Sequence, residues 1–285
     1  MRIAVSQFEP GTDPAANAEH LVAAAARAAG DGASLLLGPE GSIVSFLSDP
    51  TAARRAAQPL DGPFVAALLA ASARYRITLA TGTFVPDPDS ARVHNTLVVA
   101  DKGELTAAYR KIHLYDAFSF VESESVAPGT EPPPVVEIGG VRVGFATCYD
   151  LRFPELFRVL QSAGADVFAL ASAWVRGPLK EEHWLTLSRA RAIENTCYLV
   201  AADQSGRLGI GRSAAFDPFG LPMLDLGSAN PGYGLVNIDL QRVLEVRKFL
   251  PSNENRRFQI DPVPADVAAP AGHDGVRQQV HSRGI

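Results

Sequence analysis

Cysteine is scarce in this chain. There are two in 285 residues, Cys148 and Cys197, too few for the disulfide framework of a small secreted scaffold, and a reducing compartment fits. Positive charge is not in excess either. Twenty-six Lys and Arg stand against 31 Asp and Glu, a net charge of −5, which gives no electrostatic footprint for nucleic acid or an anionic membrane. Long apolar runs are missing. The most apolar helical pattern, Leu21 to Ala29, is too short to span a bilayer and contains Arg27. Met1-Arg2-Ile3-Ala4-Val5 reads as a strand, not as the apolar core of a leader. The six histidines form no His-Glu-X-X-His or His-X-His pair, so no metal is expected. Gly209 and Gly211 flank Ile210 in a loop and make no dinucleotide fingerprint, so no cofactor is expected. These absences predict a cytoplasmic protein without nucleic-acid or membrane partners.

What is present is an α/β pattern, 47% hydrophobic and 20% charged, in a chain long enough for one large domain. Strands are predicted at Ile3–Phe8, Ser34–Leu37, Thr78–Phe84, Val93–Ala100, Leu105–Arg110, Val135–Ile138 and Val141–Ala146. Further strands are predicted at Val167–Ala171, Tyr198–Ala202, Arg212–Phe216, Leu221–Leu224 and Gly234–Asp239. Helices are predicted at Ala16–Ala29, Phe64–Tyr75, Phe153–Ala163, Lys180–Glu194 and Leu240–Arg247. The stretch 111–134 reads as irregular. Two strand-helix-strand units look alike, Ile3–Phe8 to Leu37 and Val141–Ala146 to Ala169, each with Gly-Ala before its second strand. They suggest a pseudo-symmetric pair of sheets with helices outside. The domain is expected over 1–260. A Pro-, Ala- and Gly-rich extended arm is expected over 261–285, able to cross to a second subunit.

Chemistry concentrates where apolar strands end. Cys148 follows Gly144-Phe145-Ala146-Thr147 and precedes a helix opening at Phe153-Pro154-Glu155. Reactive groups collect at the carboxyl ends of strands in α/β sheets, and a helix amino terminus favours a thiolate. Glu40 follows Leu35-Leu36-Leu37-Gly38-Pro39, and Lys111 follows Ala107-Ala108-Tyr109-Arg110. A thiol of ordinary pKa, about 8.5, is only a few per cent ionised at neutral pH. A neighbouring Lys favours the thiolate, and a carboxylate can take its proton. A lysine ammonium also suits the oxyanion formed on an attacked carbonyl. Cys197, in Asn195-Thr196-Cys197-Tyr198, reads as core. His113 reads as a structural hydrogen bonder, since no papain-type Cys-Gly-X-Cys-Trp run accompanies it. Trp174, at the end of a strand, reads as pocket lining or core.

Several stretches together resemble the nitrilase superfamily of carbon–nitrogen hydrolases. They are Leu37-Gly38-Pro39-Glu40, Tyr109-Arg110-Lys111-Ile112-His113-Leu114, Cys148-Tyr149-Asp150-Leu151-Arg152-Phe153-Pro154-Glu155-Leu156, Glu122-Ser123 with Pro128-Gly129, Arg189 through Asn195, and Asp217-Pro218-Phe219-Gly220. The resemblance implies an αββα sandwich and a Glu-Lys-Cys triad. Glu40 is then base and later acid, Lys111 the oxyanion's cation and Cys148 the nucleophile. Glu122 positions the site, and the Tyr149 backbone amide is the second oxyanion donor. It implies a homodimer or higher even-numbered oligomer.

Tyr149-Asp150 after the cysteine, rather than Trp-Glu, resembles the amidase-type branch that includes ω-amidase and deaminated glutathione amidase. The expected substrate is a small linear ω-amide of a carboxylic acid. A nitrile hydrolase, or a non-catalytic binding protein on the same fold, is the alternative. Two segments depart from that branch. The stretch 175–182 before His183-Trp184 is longer, and the loop after Tyr115 is shorter. Both fall near the expected pocket.

Overall fold

Alternation of apolar strands with one-sided helices dictates the architecture. The computed structural model describes residues 1–49, 51–118 and 120–260. The first unit is β1 (Arg2–Gln7), α1 (Pro14–Gly30) and β2 (Leu35–Leu37). Asp13 caps α1 by accepting from the Ala15 amide at 2.9 Å, and Pro14 supplies a first turn that needs no amide donor. Ala18, Leu21, Ala25 and Ala28 share the buried face, the spacing of a helix packed on one side.

The chain continues through α2 (Thr51–Ala56), α3 (Pro63–Tyr75), β3 (Thr78–Pro86), β4 (Val93–Asp101) and β5 (Glu104–Arg110). A small hairpin follows, β6 (Asp116–Ala117) with β7 (Phe120–Val121), then a 3-10 turn at Glu122–Glu124. The second half holds β8 (Val135–Ile138), β9 (Val141–Thr147), a 3-10 turn at Cys148–Arg152, α4 (Pro154–Ser162) and β10 (Val167–Ser172). It closes with α5 (Lys180–Asn195), β11 (Tyr198–Asp203), β12 (Ala214–Phe216), β13 (Pro222–Asp225), β14 (Gly232–Asn237) and α6 (Leu240–Phe249).

The strands form two six-stranded sheets, ordered β14-β1-β2-β3-β4-β5 and β13-β12-β11-β10-β9-β8. Read from β14 and from β8, the two sheets have one pairing pattern: antiparallel, parallel, parallel, antiparallel, antiparallel. The pseudo-symmetry expected from the two strand-helix-strand units is therefore present at the level of whole sheets.

Three apolar layers fill the spaces. Leu21, Ala25, Phe64, Leu68 and Leu36 pack α1 and α3 on the first sheet. Val5, Leu37, Leu97, Val143, Phe145 and Val200 join the sheets face to face. Phe157, Leu160, Trp184 and Phe168 pack α4 and α5 on the second. The order is αββα, as the resemblance implied.

Some predicted bounds shift for local reasons. Gly211 and Arg212 have φ of 67° and 52°, so the strand predicted from Arg212 begins at Ala214. Asp239 accepts from the Gln241 amide at 2.9 Å and caps α6, so β14 ends before it. The β6–β7 hairpin and the 3-10 turn at Glu122 give structure to the stretch expected to be irregular, and α2 was not expected. The expected arm, 261–285, lies outside the described residues. No helix among the described residues is long and apolar enough to cross a membrane.

Candidate active site

Glu40 leaves β2 through a turn that the first sheet must admit at close range. A Cβ on Gly82 of β3 would sit 2.4 Å from the Gly41 nitrogen and 2.6 Å from the Glu40 Cα, so only glycine allows this approach. Gln204 Nε2 donates to the Glu40 carbonyl at 2.8 Å, and the Ala173 amide donates to Glu40 Oε2 at 2.8 Å. Both donors lie just past the carboxyl ends of β10 and β11, the central strands of the second sheet, so Glu40 spans the two sheets.

Lys111 follows β5. Its amide donates to the Asn95 carbonyl at 2.8 Å, and its carbonyl accepts from the Gly129 amide at 2.9 Å. A side chain on Gly129 would strike the Arg110 carbonyl oxygen at 2.2 Å. The Lys111 ammonium donates to Glu40 Oε1 at 3.0 Å and Glu122 Oε2 at 2.8 Å, with its side chain 1% exposed. Burial alone would pull this ammonium's pKa down. Glu122 and Glu40 outweigh it, and the pKa lies well above the usual lysine value. Lys111 stays charged.

Glu122 is fixed by further donors, the Tyr115 amide at 2.6 Å to Oε2 and Asn95 Nδ2 at 3.2 Å to Oε1. Asn95 Nδ2 also donates to Glu40 Oε1 at 2.7 Å. Asn95 was not anticipated from sequence. The signal was the polar run His94-Asn95-Thr96 inside an otherwise apolar strand whose residues are all buried up to Ala100.

Cys148 follows β9 at a sharp elbow. Its φ is 45°, the left-handed region that a side chain enters at a cost. Asp150 holds the elbow. Its Oδ2 accepts from the Thr147 amide and the Tyr109 hydroxyl, both at 2.9 Å, and Oδ1 pairs with His113 Nδ1 at 2.7 Å. His113 stacks on Phe153 with centroids 3.7 Å apart, the structural role expected of it.

The thiol is buried, with the whole residue 8% exposed. Burial first, then the Glu40 charge, push its pKa well above the usual thiol value, against the pull of Lys111, Ser172 and Ala173. This corrects the expectation of a thiolate favoured by Lys111 and a helix amino terminus. The resting sulfur is a thiol, because desolvation at this elbow exceeds the single cation's effect.

Glu40, Lys111, Glu122, Cys148, Tyr149 and Trp174 all line one cavity of about 370 Å³. The site residues named from sequence therefore converge. Tyr149 is the second residue of the 3-10 turn, where first amides lack helical acceptors. Its ring packs edge-on to Tyr115 at 5.1 Å. Trp174 serves both expected roles. It lines the cavity, packs 5.5 Å from Trp184, and donates from Nε1 to the Lys180 carbonyl at 2.9 Å. Cys197 is fully buried, and burial pushes its pKa up to about 12, in keeping with a core cysteine.

Asp203 was missed. It ends β11, is 0% exposed, and accepts from the Trp174 amide at 2.7 Å. Burial pushes its pKa well above the carboxylate range. A lone Asp at a strand end carries no sequence sign of such depth. Among the described residues no cluster of three or more His, Cys, Asp or Glu side chains has metal-binding geometry.

The sequence profile of the Carbon-nitrogen hydrolase family matches residues 2–248. A deaminated glutathione amidase of Escherichia coli O157:H7 is 41% identical over 258 residues, 90% of this chain and 98% of that one. Among solved structures, a CN-hydrolase superfamily protein from Xanthomonas campestris, with an arsenic adduct in its active site, superposes with a TM-score of 0.81. It is 28% identical and covers 92% of this chain and 99% of its own. A mutant amidase from Nesterenkonia sp. AN1, with acrylamide added to its active-site cysteine, superposes with a TM-score of 0.73. It is 30% identical, covering 89% and 99%.

Proposed function

The chain belongs to the carbon-nitrogen hydrolase family, and on that premise we propose that it hydrolyses small linear amides, ω-amides of carboxylic acids first, through a thioester on Cys148. As Cys148 Sγ attacks the amide carbon, Glu40 takes the thiol proton. The oxyanion is held by the Lys111 ammonium and the Tyr149 amide. When the C–N bond breaks, Glu40 returns the proton to departing ammonia. Glu40 then deprotonates a water that attacks the thioester, and the proton passes back to sulfur as the carboxylate leaves.

One observation carries this reading. Lys111 Nζ is fixed between Glu40 Oε1 at 3.0 Å and Glu122 Oε2 at 2.8 Å in the cavity that Cys148 lines. The two carboxylates have distinct tasks. Glu122 is tied to Lys111, Asn95 and the Tyr115 amide and holds the cation in place. Glu40 lines the same cavity as Cys148 and is the carboxylate left to act as base. The names of the amidase relatives support amides over nitriles.

The test is ammonia release from a panel of short amides and the matching nitriles by the wild type and by Glu40→Gln. Release from amides that Glu40→Gln abolishes supports the reading. Release from nitriles alone overturns it. A cytoplasmic homodimer is part of the proposal. The exposed Phe249 and Phe258, at 78% and 90%, support the assembly, and light scattering of the full chain tests it.

A further inference from the structure

Lys180 opens α5 directly above the cavity and is 4% exposed. The turn before it fixes its place. Its amide donates to the Gly177 carbonyl at 3.2 Å, and its carbonyl accepts the Trp174 indole N–H at 2.9 Å. The ammonium donates to the Tyr115 hydroxyl at 2.6 Å. It lies 4.1 Å from the ring centre of Phe118, 4.8 Å from that of Tyr115 and 5.5 Å from that of Trp174.

No Asp or Glu among the described residues pairs with Lys180, whereas Lys111 has two such partners and Arg176 has Glu181 at 3.7 Å. The charged neighbour on the facing turn is another cation, Arg152. Its guanidinium carbon stands 4.8 Å from the Trp174 ring centre, its Nε is buried without a partner, and no described carboxylate pairs with it either. Burial first, then Arg152, bring the Lys180 pKa down to about 8. Two cations beside one cavity without an acid between them are costly, and a bound anion removes that cost.

We propose that Lys180, backed by Arg152, is the subsite for an anionic tail, a carboxylate, on the acyl side of the amide. The inference rests on the amide reading above and assigns its specificity to a residue. Lys180 and Cys148 line the same cavity, so one short chain reaches both. The ionisable groups facing Lys180 are Arg152, Tyr115 and Cys148, with Tyr149, Lys111, Glu40, Glu122 and Arg176, the last paired with Glu181, along the same cavity.

The experiment compares kcat/KM for glutaramate with that for pentanamide, its neutral match in length. The ratio of the two cancels the ionisations they share. It is expected to favour glutaramate in the wild type, to fall at least about tenfold in Lys180→Met, and to recover in part in Lys180→Arg. A tenfold fall corresponds to about 1.4 kcal/mol. In the wild type the ratio is expected to fall as pH rises past about 8, where the ammonium is lost. A ratio unchanged within about threefold in Lys180→Met overturns the subsite.

A second measurement stands apart from turnover. Calorimetry reads glutarate binding to the full chain carrying Cys148→Ala, with and without Lys180→Met. Equal affinities overturn the subsite even if neither amide is cleaved, a result that would count separately against the amide reading. Glutarate binding weakened tenfold or more by Lys180→Met supports the subsite in either case.

Discussion

Asn95 and Glu40 are joined by a hydrogen bond of 2.7 Å from Nδ2 to Oε1, and the same amide nitrogen reaches Glu122 Oε1 at 3.2 Å. One neutral donor thus spaces two carboxylates that share one lysine. It adds no charge to the balance while denying either carboxylate freedom to turn. Asn95→Ala is expected to lower kcat about 10- to 100-fold, roughly 1.4 to 2.7 kcal/mol, with the fold kept. Steady-state kinetics beside a thermal melt checks this. A kcat within threefold of wild type would show that Asn95 does not position the pair.

Lys111→Gln should damage stability as well as catalysis. The side chain is 1% exposed between two buried carboxylates, and removing one member of such a group leaves uncompensated charge at a cost of about 3 to 5 kcal/mol. Denaturant unfolding should show that loss. Adding Glu122→Gln should return part of it, because the orphaned carboxylate is gone, without returning activity. A double variant no more stable than Lys111→Gln would contradict the charge argument.

Asp203 carries a pH signature. Its folded pKa is raised, by burial first, so above the ordinary carboxylate pKa the folded state holds a proton that the unfolded state has lost. Stability from this group is present at low pH and declines as pH rises. Asp203→Asn removes the proton linkage while keeping an acceptor for the Trp174 amide. Relative to wild type, the variant's melting temperature is expected to gain between pH 5 and pH 8. A gain in the opposite direction would mean Asp203 is ionised in the fold.

Alkylation tests the protonated thiol. With Cys148 pushed up by burial and by Glu40, iodoacetamide should label it slowly at pH 7 and faster as pH rises. Glu40→Gln removes the charge that opposes the thiolate, so labelling near neutral pH should speed up while turnover disappears. Slower labelling in Glu40→Gln at every pH would assign the resting proton to Glu40 instead.

Three of the site residues were legible because each ends or follows a strand. Glu40 and Cys148 follow apolar runs, Leu35 to Leu37 and Phe145 to Ala146, that the fold buries completely. Lys111 comes after a strand whose side chains alternate in exposure, so its depth comes from Gly129 and Asn95, which local pattern does not reveal. Asn95 hid for a related reason, since a polar residue inside a strand ordinarily faces solvent. The paired sheets were legible in the repeated Gly-Ala before β2 and β10. The protonation of Cys148 was not. It depends on the desolvation that the αββα packing creates around an elbow, and that is a property of the assembled site.

The proposed reaction stands on the covalent step at Cys148. The most direct measurement is intact mass of the full chain, quenched early in turnover of a short amide, with ammonia followed in parallel. An acyl adduct that maps to Cys148 is expected, with ammonia released alongside it, and neither in Cys148→Ala. Ammonia released by Cys148→Ala at the wild-type rate would contradict it.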